Sequence, residues 1–179
     1  MSNLNTAFEH LIKDIYDSET RLLAAMPELR DAAQNPRLKQ ALELHITQTQ
    51  EQIERVKQIA GNCGFEVTGE VCQATVGLVK EAQAHVGEFK GTPAGDAVII
   101  SAAQKNEHYE IANYGCAVTW AELLGKDDCV ALLEKSLQEE EETDDILSSI
   151  AESEVNRAAL GQSEANASFA GSTSTAMGS

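Results

Sequence analysis

The chain has 179 residues and a formal net charge of −16, with 29 acidic against 13 basic side chains. This acidic excess argues against binding to nucleic acid or to anionic membranes, because both carry negative charge. No apolar run approaches the roughly 20 residues that span a bilayer, and the N-terminus lacks an export signal. We therefore expect a cytoplasmic protein with no membrane partner.

The length suits one domain that can bury a core without covalent cross-links. Helix-forming residues dominate, aromatic residues make up 4% of the chain, and only three prolines occur. This composition favours an all-α protein. We expect a helical bundle over residues 1–160. The Gly, Ser, Ala and Thr-rich stretch 161–179 is predicted to be a disordered tail, because it has too little apolar surface to bury.

The first helix is predicted to begin at Thr6, which forms a capping-box pattern with Glu9, and to run to about residue 33. Pro27 should kink or shorten it. Asn35 and Pro36 match the N-cap and first position of a second helix.

The second helix should end in the glycine-containing segment 61–64. A short helix is predicted within the long connection, at about 71–89. A third long helix follows at about 95–124 and a fourth at about 128–154. Short loops would make two antiparallel hairpins, and the long connection would join them by a crossover.

Bundle helices bury positions spaced alternately three and four residues apart. We call the positions of one helix that this spacing predicts to be buried its seam. The seam of every long helix is apolar at both ends and polar in the middle. The fourth seam, for example, is Val130, Leu133, Leu137, Glu140, Asp144, Leu147 and Ala151.

The polar mid-seam residues should meet in one layer. At about 1.5 Å per residue, Glu110 and Glu140 both lie roughly 20 Å from the turn that joins their helices. Glu19 is level with about Thr49, little more than one turn from His45. The polar layer is therefore predicted to lie at mid-bundle.

Carboxylates that face one another in a dry core are very costly unless positive charge neutralises them. No Lys or Arg lies on these seams near the polar layer. Carboxylate with imidazole suits iron, or alternatively manganese, and the number of ligands suits two metal ions. The predicted metal ligands are Glu19, His45, Glu107, Glu110, Glu140 and Asp144.

Alternatives remain for some of these residues. Glu140 and Asp144 lie in an acidic run, which is usually a solvated face, and a shift of one residue would turn Glu139 or Thr143 inward. His45 could equally be a hydrogen-bonded core residue.

Other polar residues have candidate supporting roles. Tyr16 and Tyr114 are candidates to donate hydrogen bonds to ligating carboxylates. A side-chain oxygen of Gln48 or Gln52 is a candidate to complete the ligand set.

The four cysteines are Cys63, Cys72, Cys116 and Cys129, with no CxxC pair. This spacing excludes a zinc ribbon and gives no disulfide framework, so we expect reduced thiols.

Four segments carry a family resemblance: residues 11–19, residues 45–55, residues 103–115 and the acidic run 139–145. The most specific is the third-helix run AQKNEHYEIANYG at 103–115. Over about residues 4–154 the chain resembles the YciE/YciF-type branch of the ferritin-like superfamily. The resemblance implies a ferritin-like four-helix bundle of two antiparallel hairpins with an extra short helix in the crossover, a homodimer, a di-iron site and a role linked to stress.

The match to the wider di-iron pattern is incomplete. That pattern takes one Glu from each of two helices and Glu-x-x-His from each of the other two. Here Glu107-x-x-Glu110 replaces one such pair, His45 is preceded by Leu42 at the Glu position, and the fourth helix has no histidine.

Two functions follow as hypotheses. The first is a di-metal protein that binds iron or reacts with oxygen or peroxide during stress. The second is a non-catalytic helical interaction protein that retains the fold without redox chemistry.

Overall fold

The computed structural model describes residues 3–161, and within that range it contains helices and turns but no strand. The helices are α1 (Leu4–Ala32), α2 (Pro36–Cys63), α3 (Gln73–Phe89), α4 (Gly95–Leu123), α5 (Asp127–Ile150), a π-helical segment (Ala151–Val155) and α6 (Asn156–Ala159). The all-α prediction is confirmed. The predicted disordered tail lies outside the described residues from position 162 onward.

Helices α1 and α2 form one hairpin, and α4 and α5 form the other, each closed by a three-residue connection. The hairpins pack through contacts of α1 with α4 and of α2 with α5. Helix α3 lies in the crossover and packs on α1 and α4. This is the predicted bundle, and none of the described helices is long and apolar enough to cross a membrane.

The start of α1 differs from the prediction. Asn3, and not Thr6, is the N-cap, and its Oδ1 accepts a hydrogen bond from the Thr6 backbone N–H at 3.0 Å. Glu9 pairs instead with Lys13 at 2.7 Å. Asn is at least as good an N-cap as Thr, so the earlier residue takes the position. Of the two effects predicted for Pro27, a kink or a shortening, the shortening is wrong, because α1 continues to Ala32.

The limits of α2 follow the prediction. Asn35 Oδ1 accepts hydrogen bonds from the backbone of Arg37 and Leu38, with Pro36 at the first helical position. Gly64 ends the helix with φ +75°, a left-handed conformation that glycine adopts without steric cost.

The buried stripe of α5 differs more from the predicted seam than any other feature of the fold does. Only three of the seven predicted seam residues, Leu133, Glu140 and Leu147, are fully buried. The spacing alternates in the opposite order, four then three, so the stripe turns toward α2 at the intermediate positions. The buried residues of α5 are Cys129, Leu133, Ser136, Glu140, Thr143, Leu147 and Ile150.

Two apolar clusters fill the two ends of the bundle. One includes Leu38, Ile99 and Leu147, and the other includes Phe8, Ile59 and Leu133. Buried polar side chains from the four long helices lie between them. The clusters keep water away from this polar layer at both ends.

Candidate metal centre

Four buried side chains from three helices converge in the polar layer. They are His45 on α2, Glu107 and Glu110 on α4, and Glu140 on α5. One candidate ligand atom from each lies within 4.8 Å of the others. Small side-chain rotations would bring these atoms around shared cations, whose ligands sit about 2 Å from the ion.

Glu19 brings α1 to the same layer. Its side chain is fully buried, and one carboxylate oxygen accepts a hydrogen bond from the Tyr114 hydroxyl. The hydrogen bond predicted for Tyr114 is therefore present. Tyr16, by contrast, packs against the apolar cluster that contains Phe8.

Several oxygens of this layer have no hydrogen-bond partner among residues 3–161. A buried acceptor left unpaired costs about 1–3 kcal/mol, and more when it is charged. Carboxylates aimed at one another accept but cannot donate, so a cation is the partner that fits them. The orphaned oxygens in the layer are Glu19 Oε2, Gln52 Oε1, Glu107 Oε2, Glu110 Oε1 and Glu140 Oε2.

The carboxylates also oppose one another electrostatically. Burial, reinforced by the charge of Glu140, raises the pKa of Glu107 and of Glu19 well above the usual value. Burial and the neighbouring Glu19 likewise raise the pKa of Glu110. Without metal, these carboxyl groups therefore keep their protons to a higher pH than exposed carboxyl groups do.

The hydrogen bonds of His45 define which ring nitrogen faces the carboxylates. Thr143 Oγ1 donates its single hydrogen to the Glu139 carbonyl at 2.9 Å. It can therefore only accept from His45 Nδ1, 3.3 Å away. Nδ1 then carries the proton of the neutral ring, and Nε2 presents a lone pair.

That lone pair points toward other acceptors. His45 Nε2 lies 3.4 Å from Glu107 Oε2 and 3.7 Å from Glu140 Oε2. A lone pair facing carboxylate oxygens is unfavourable unless a proton or a metal ion lies between them. The arrangement fits a histidine that ligates metal through Nε2 and is oriented through Nδ1.

An arginine beside the layer was missed by the sequence reasoning. Arg55 is buried; its Nε donates to Ser136 Oγ at 3.0 Å and its Nη2 donates to Glu139. No Lys or Arg was predicted on the seams near the polar layer, so Arg55 was taken to lie off the seam. The sequence signal that could have identified Arg55 was its place in segment 45–55, which carries part of the family resemblance. Its hydrogen bonds go to Ser136 and Glu139, and within residues 3–161 no Arg or Lys is paired with the glutamates of the cluster.

Gln52 connects the polar layer with Arg55 through Glu139, because both side chains donate to that carboxylate. Its Nε2 donates to Glu140 and, at 3.2 Å, to Glu139. Its Oε1 remains free to ligate. Gln48 also has an unpaired Oε1.

Asp144 lies outside the four-residue cluster, contrary to its predicted place among the ligands. Thr143 occupies the inward position that the prediction gave to Asp144, because the buried stripe of α5 turns toward α2. Asp144 is partly exposed and accepts a hydrogen bond from Gln104 Nε2 at 3.0 Å. His108, 3.6 Å from Asp144, is 68% exposed.

Comparison with known families gives one match over nearly all the described residues. The DUF892 family, a domain of unknown function, matches residues 3–160. Protein YciF of Escherichia coli strain K12 is 38% identical over 160 residues, which cover 89% of this chain and 96% of that protein.

Solved structures agree with the fold. The crystal structure of the E. coli stress protein YciF matches with a TM-score of 0.83 and 38% identity, over 87% of this chain and 99% of that one. YcfI from Rhodopseudomonas palustris matches with a TM-score of 0.79 and 39% identity, over 82% and 94%. The protein XCC3681 from Xanthomonas campestris, at 20% identity and a TM-score of 0.70 over 90% and 99%, shares the fold.

Proposed function

The chain belongs to the DUF892 family, and for this member we propose that the buried carboxylates and His45 bind two divalent cations, iron or manganese. The observation that carries the proposal is that buried His45 Nε2 lies 3.4 Å from Glu107 Oε2 and 3.7 Å from Glu140 Oε2, while Nδ1 is bonded to Thr143. A core histidine with a purely structural role would donate from Nε2. A ligating histidine would accept a metal ion there.

Charge balance supports two ions. Glu19, Glu107, Glu110 and Glu140 carry four negative charges when all are ionised. Two divalent cations would neutralise this set, whereas one would leave two buried charges without compensation. The charge of Arg55 is paired with that of Glu139, so these two charges offset each other beside the set.

Each side chain of the layer would have a definite task. Glu107, Glu110, Glu140 and His45 would hold the ions, and Glu19 would close the site from α1. Iron bound here would supply one-electron redox chemistry toward oxygen or peroxide.

Neighbouring groups would keep the ligands in place. Tyr114 holds Glu19, Thr143 orients His45, and Gln52 positions Glu140. The apolar clusters at both ends of the bundle restrict the entry of water.

The relatives supply the biological setting. The E. coli relative is described as a stress protein. We therefore extend the proposal to iron binding, or reaction with oxygen or peroxide, under stress.

Metal loading in solution tests the proposal. The purified chain would be stripped with a chelator, incubated anaerobically with Fe²⁺ or Mn²⁺, desalted and analysed for metal by mass spectrometry. We expect about two ions per chain. A content far below two after loading with either metal would contradict the proposal.

Isosteric variants identify the ligands. Glu107→Gln with Glu110→Gln should abolish stable metal binding, because two ligating charges are removed while the side-chain volume is kept. The matched control is Glu134→Gln with Glu141→Gln, two exposed acids on α5. Equal loss of metal in both double variants would show that binding reflects general acidity.

A non-catalytic interaction protein is the second candidate, favoured by the raised pKa values of the buried glutamates. Protonated carboxylates would allow the layer to exist without metal. In that case the melting temperature would not change when Fe²⁺ or Mn²⁺ is added. Metal binding would instead raise it.

A further inference from the structure

Two thiols meet at the end of the bundle that carries the α4–α5 turn. Cys63 is the last residue of α2, and Cys129 lies in the first turn of α5. Their Sγ atoms are 3.7 Å apart, although the residues are 66 positions apart in sequence. Along α5, Cys129 is 11 residues from Glu140, about 16 Å, so the pair is separate from the candidate metal centre.

We propose that Cys63 and Cys129 form a peroxide-sensitive dithiol, which oxidises to an intramolecular disulfide and ties the end of α2 to the start of α5. A disulfide needs an S–S distance of about 2.05 Å, so the sulfurs must approach by about 1.7 Å. Within residues 3–161, neither Cys72 nor Cys116 has another cysteine sulfur at hydrogen-bond distance. The pairing is therefore specific.

The surface above the pair admits a small oxidant. Cys63 is partly exposed, whereas Cys129 is 2% exposed. Both cysteines line a polar hollow of about 340 Å³, ample for a molecule the size of hydrogen peroxide. Its lining residues are Asn62, Cys63, Gly125, Lys126, Asp127, Asp128 and Cys129.

The two thiols differ in accessibility. Burial, reinforced by the adjacent Cys63 sulfur, raises the pKa of Cys129 to about 12. Cys129 therefore stays protonated and shielded, while Cys63 faces the hollow. Because the accessible sulfur meets the oxidant, Cys63 reacts first and Cys129 resolves.

The chemistry balances with peroxide as the only oxidant. The Cys63 sulfur attacks one peroxide oxygen, the O–O bond breaks, and the products are a sulfenic acid at Cys63 and one water. The Cys129 sulfur then attacks the Cys63 sulfur, the S–O bond breaks, and the released hydroxyl takes the Cys129 proton to form a second water. Two thiols are oxidised to one disulfide, and one peroxide is reduced to two waters.

Peroxide titration of the full chain tests the proposal. The protein is first reduced and held in chelator, so that bound metal cannot contribute to the oxidation. Addition of about one equivalent of hydrogen peroxide should remove two of the four thiols titratable in denaturant and lower the mass by two hydrogen atoms. Peptide mapping should find Cys63 linked to Cys129, and the melting temperature should rise by about 5–10 °C.

Single-cysteine variants make the assignment specific. Cys63→Ser, at a partly exposed position, and Cys129→Ala, at a buried one, should each abolish the link. Cys116→Ser, an exposed cysteine on α4, should leave it intact. Disulfides between chains, a link that involves Cys72 or Cys116, or oxidation that stops at Cys63 without a link would overturn the proposal.

Discussion

Thr143 decides how His45 can act, although its hydroxyl makes only two contacts. Because it donates to the Glu139 carbonyl, it must accept from Nδ1 of the imidazole, which leaves Nε2 for a metal ion. A hydroxyl at this position therefore sets the tautomer of a proposed ligand. From the sequence, Thr143 was only an alternative to Asp144 as the inward residue. Nothing in the sequence indicated that its hydroxyl would orient His45.

Thr143→Val should weaken metal binding by about 10–100-fold, the usual cost of removing the partner of a ligating histidine. The valine keeps the shape of the threonine and cannot accept a hydrogen bond. Competition against a metal-binding dye measures the affinity. Thr119→Val is the control, because Thr119 makes the same bond to a carbonyl four residues earlier but is exposed on α4. Unchanged affinity in Thr143→Val would show that His45 is not oriented through this contact.

Glu110→Gln should stabilise the metal-free protein and weaken the metal-bound one. Burial and Glu19 raise the pKa of Glu110, so its ionisation opposes folding when no cation is present. Thermal unfolding at pH 8 with chelator, and again with Mn²⁺, measures both effects. A variant that is destabilised in both conditions would indicate a structural role for this carboxylate.

Among the helices, α5 shows that the spacing of apolar residues does not by itself determine which residues are buried. A 3–4 repeat and a 4–3 repeat coincide at Leu133, Glu140 and Leu147, and they diverge by one residue between these positions. Hydrophobicity favours Val130 and Leu137, yet contacts with α2 bury Ser136 and Thr143. The choice depends on the facing helix, which one helix's sequence does not contain.

Helix α2 was easier to predict, because local signals mark both of its limits. Asn35, Pro36 and Gly64 act within one turn of a helix end, and their effects need no tertiary contact. Glu19, Glu107 and Glu110 were also found, since each interrupts an apolar series. Arg55 was not, because its burial depends on Ser136 and Glu139 across the interface.

Asn3→Ala should destabilise the protein by about 1 kcal/mol, because it removes the side chain that caps α1. Thr6→Ala should cost less, since the Thr6 backbone N–H remains able to bond Asn3. Urea unfolding of the two variants compares them directly. A larger loss in Thr6→Ala would restore Thr6 as the N-cap.

For the whole molecule, the metal-free bundle must hold several carboxylates between two apolar clusters. Its stability is therefore linked to pH and to divalent cations together.

The homodimer implied by the family resemblance and the cytoplasmic location stay predictions.

The metal-free protein should lose stability as pH rises from about 5 to 8. Burial raises the pKa of Glu19, Glu107 and Glu110 in the folded state, whereas in the unfolded chain they titrate near 4.3. Between these values the folded state binds more protons than the unfolded state, so stability falls with rising pH, by up to about 1.4 kcal/mol per pH unit for each such group.

Urea unfolding in chelator at several pH values measures that slope. Glu107→Gln with Glu110→Gln should flatten it, because two of the responsible groups no longer titrate. Stability that increases over this range in the wild-type chain would show that the buried carboxylates are ionised at little cost.

The most direct measurement is anomalous X-ray diffraction from a crystal loaded with Fe²⁺, recorded on both sides of the iron absorption edge. We predict two iron peaks within bonding distance of Glu107, Glu110, Glu140 and His45 Nε2, in the layer between the apolar clusters. Iron found only at surface carboxylates, with this layer free of anomalous signal, would contradict it.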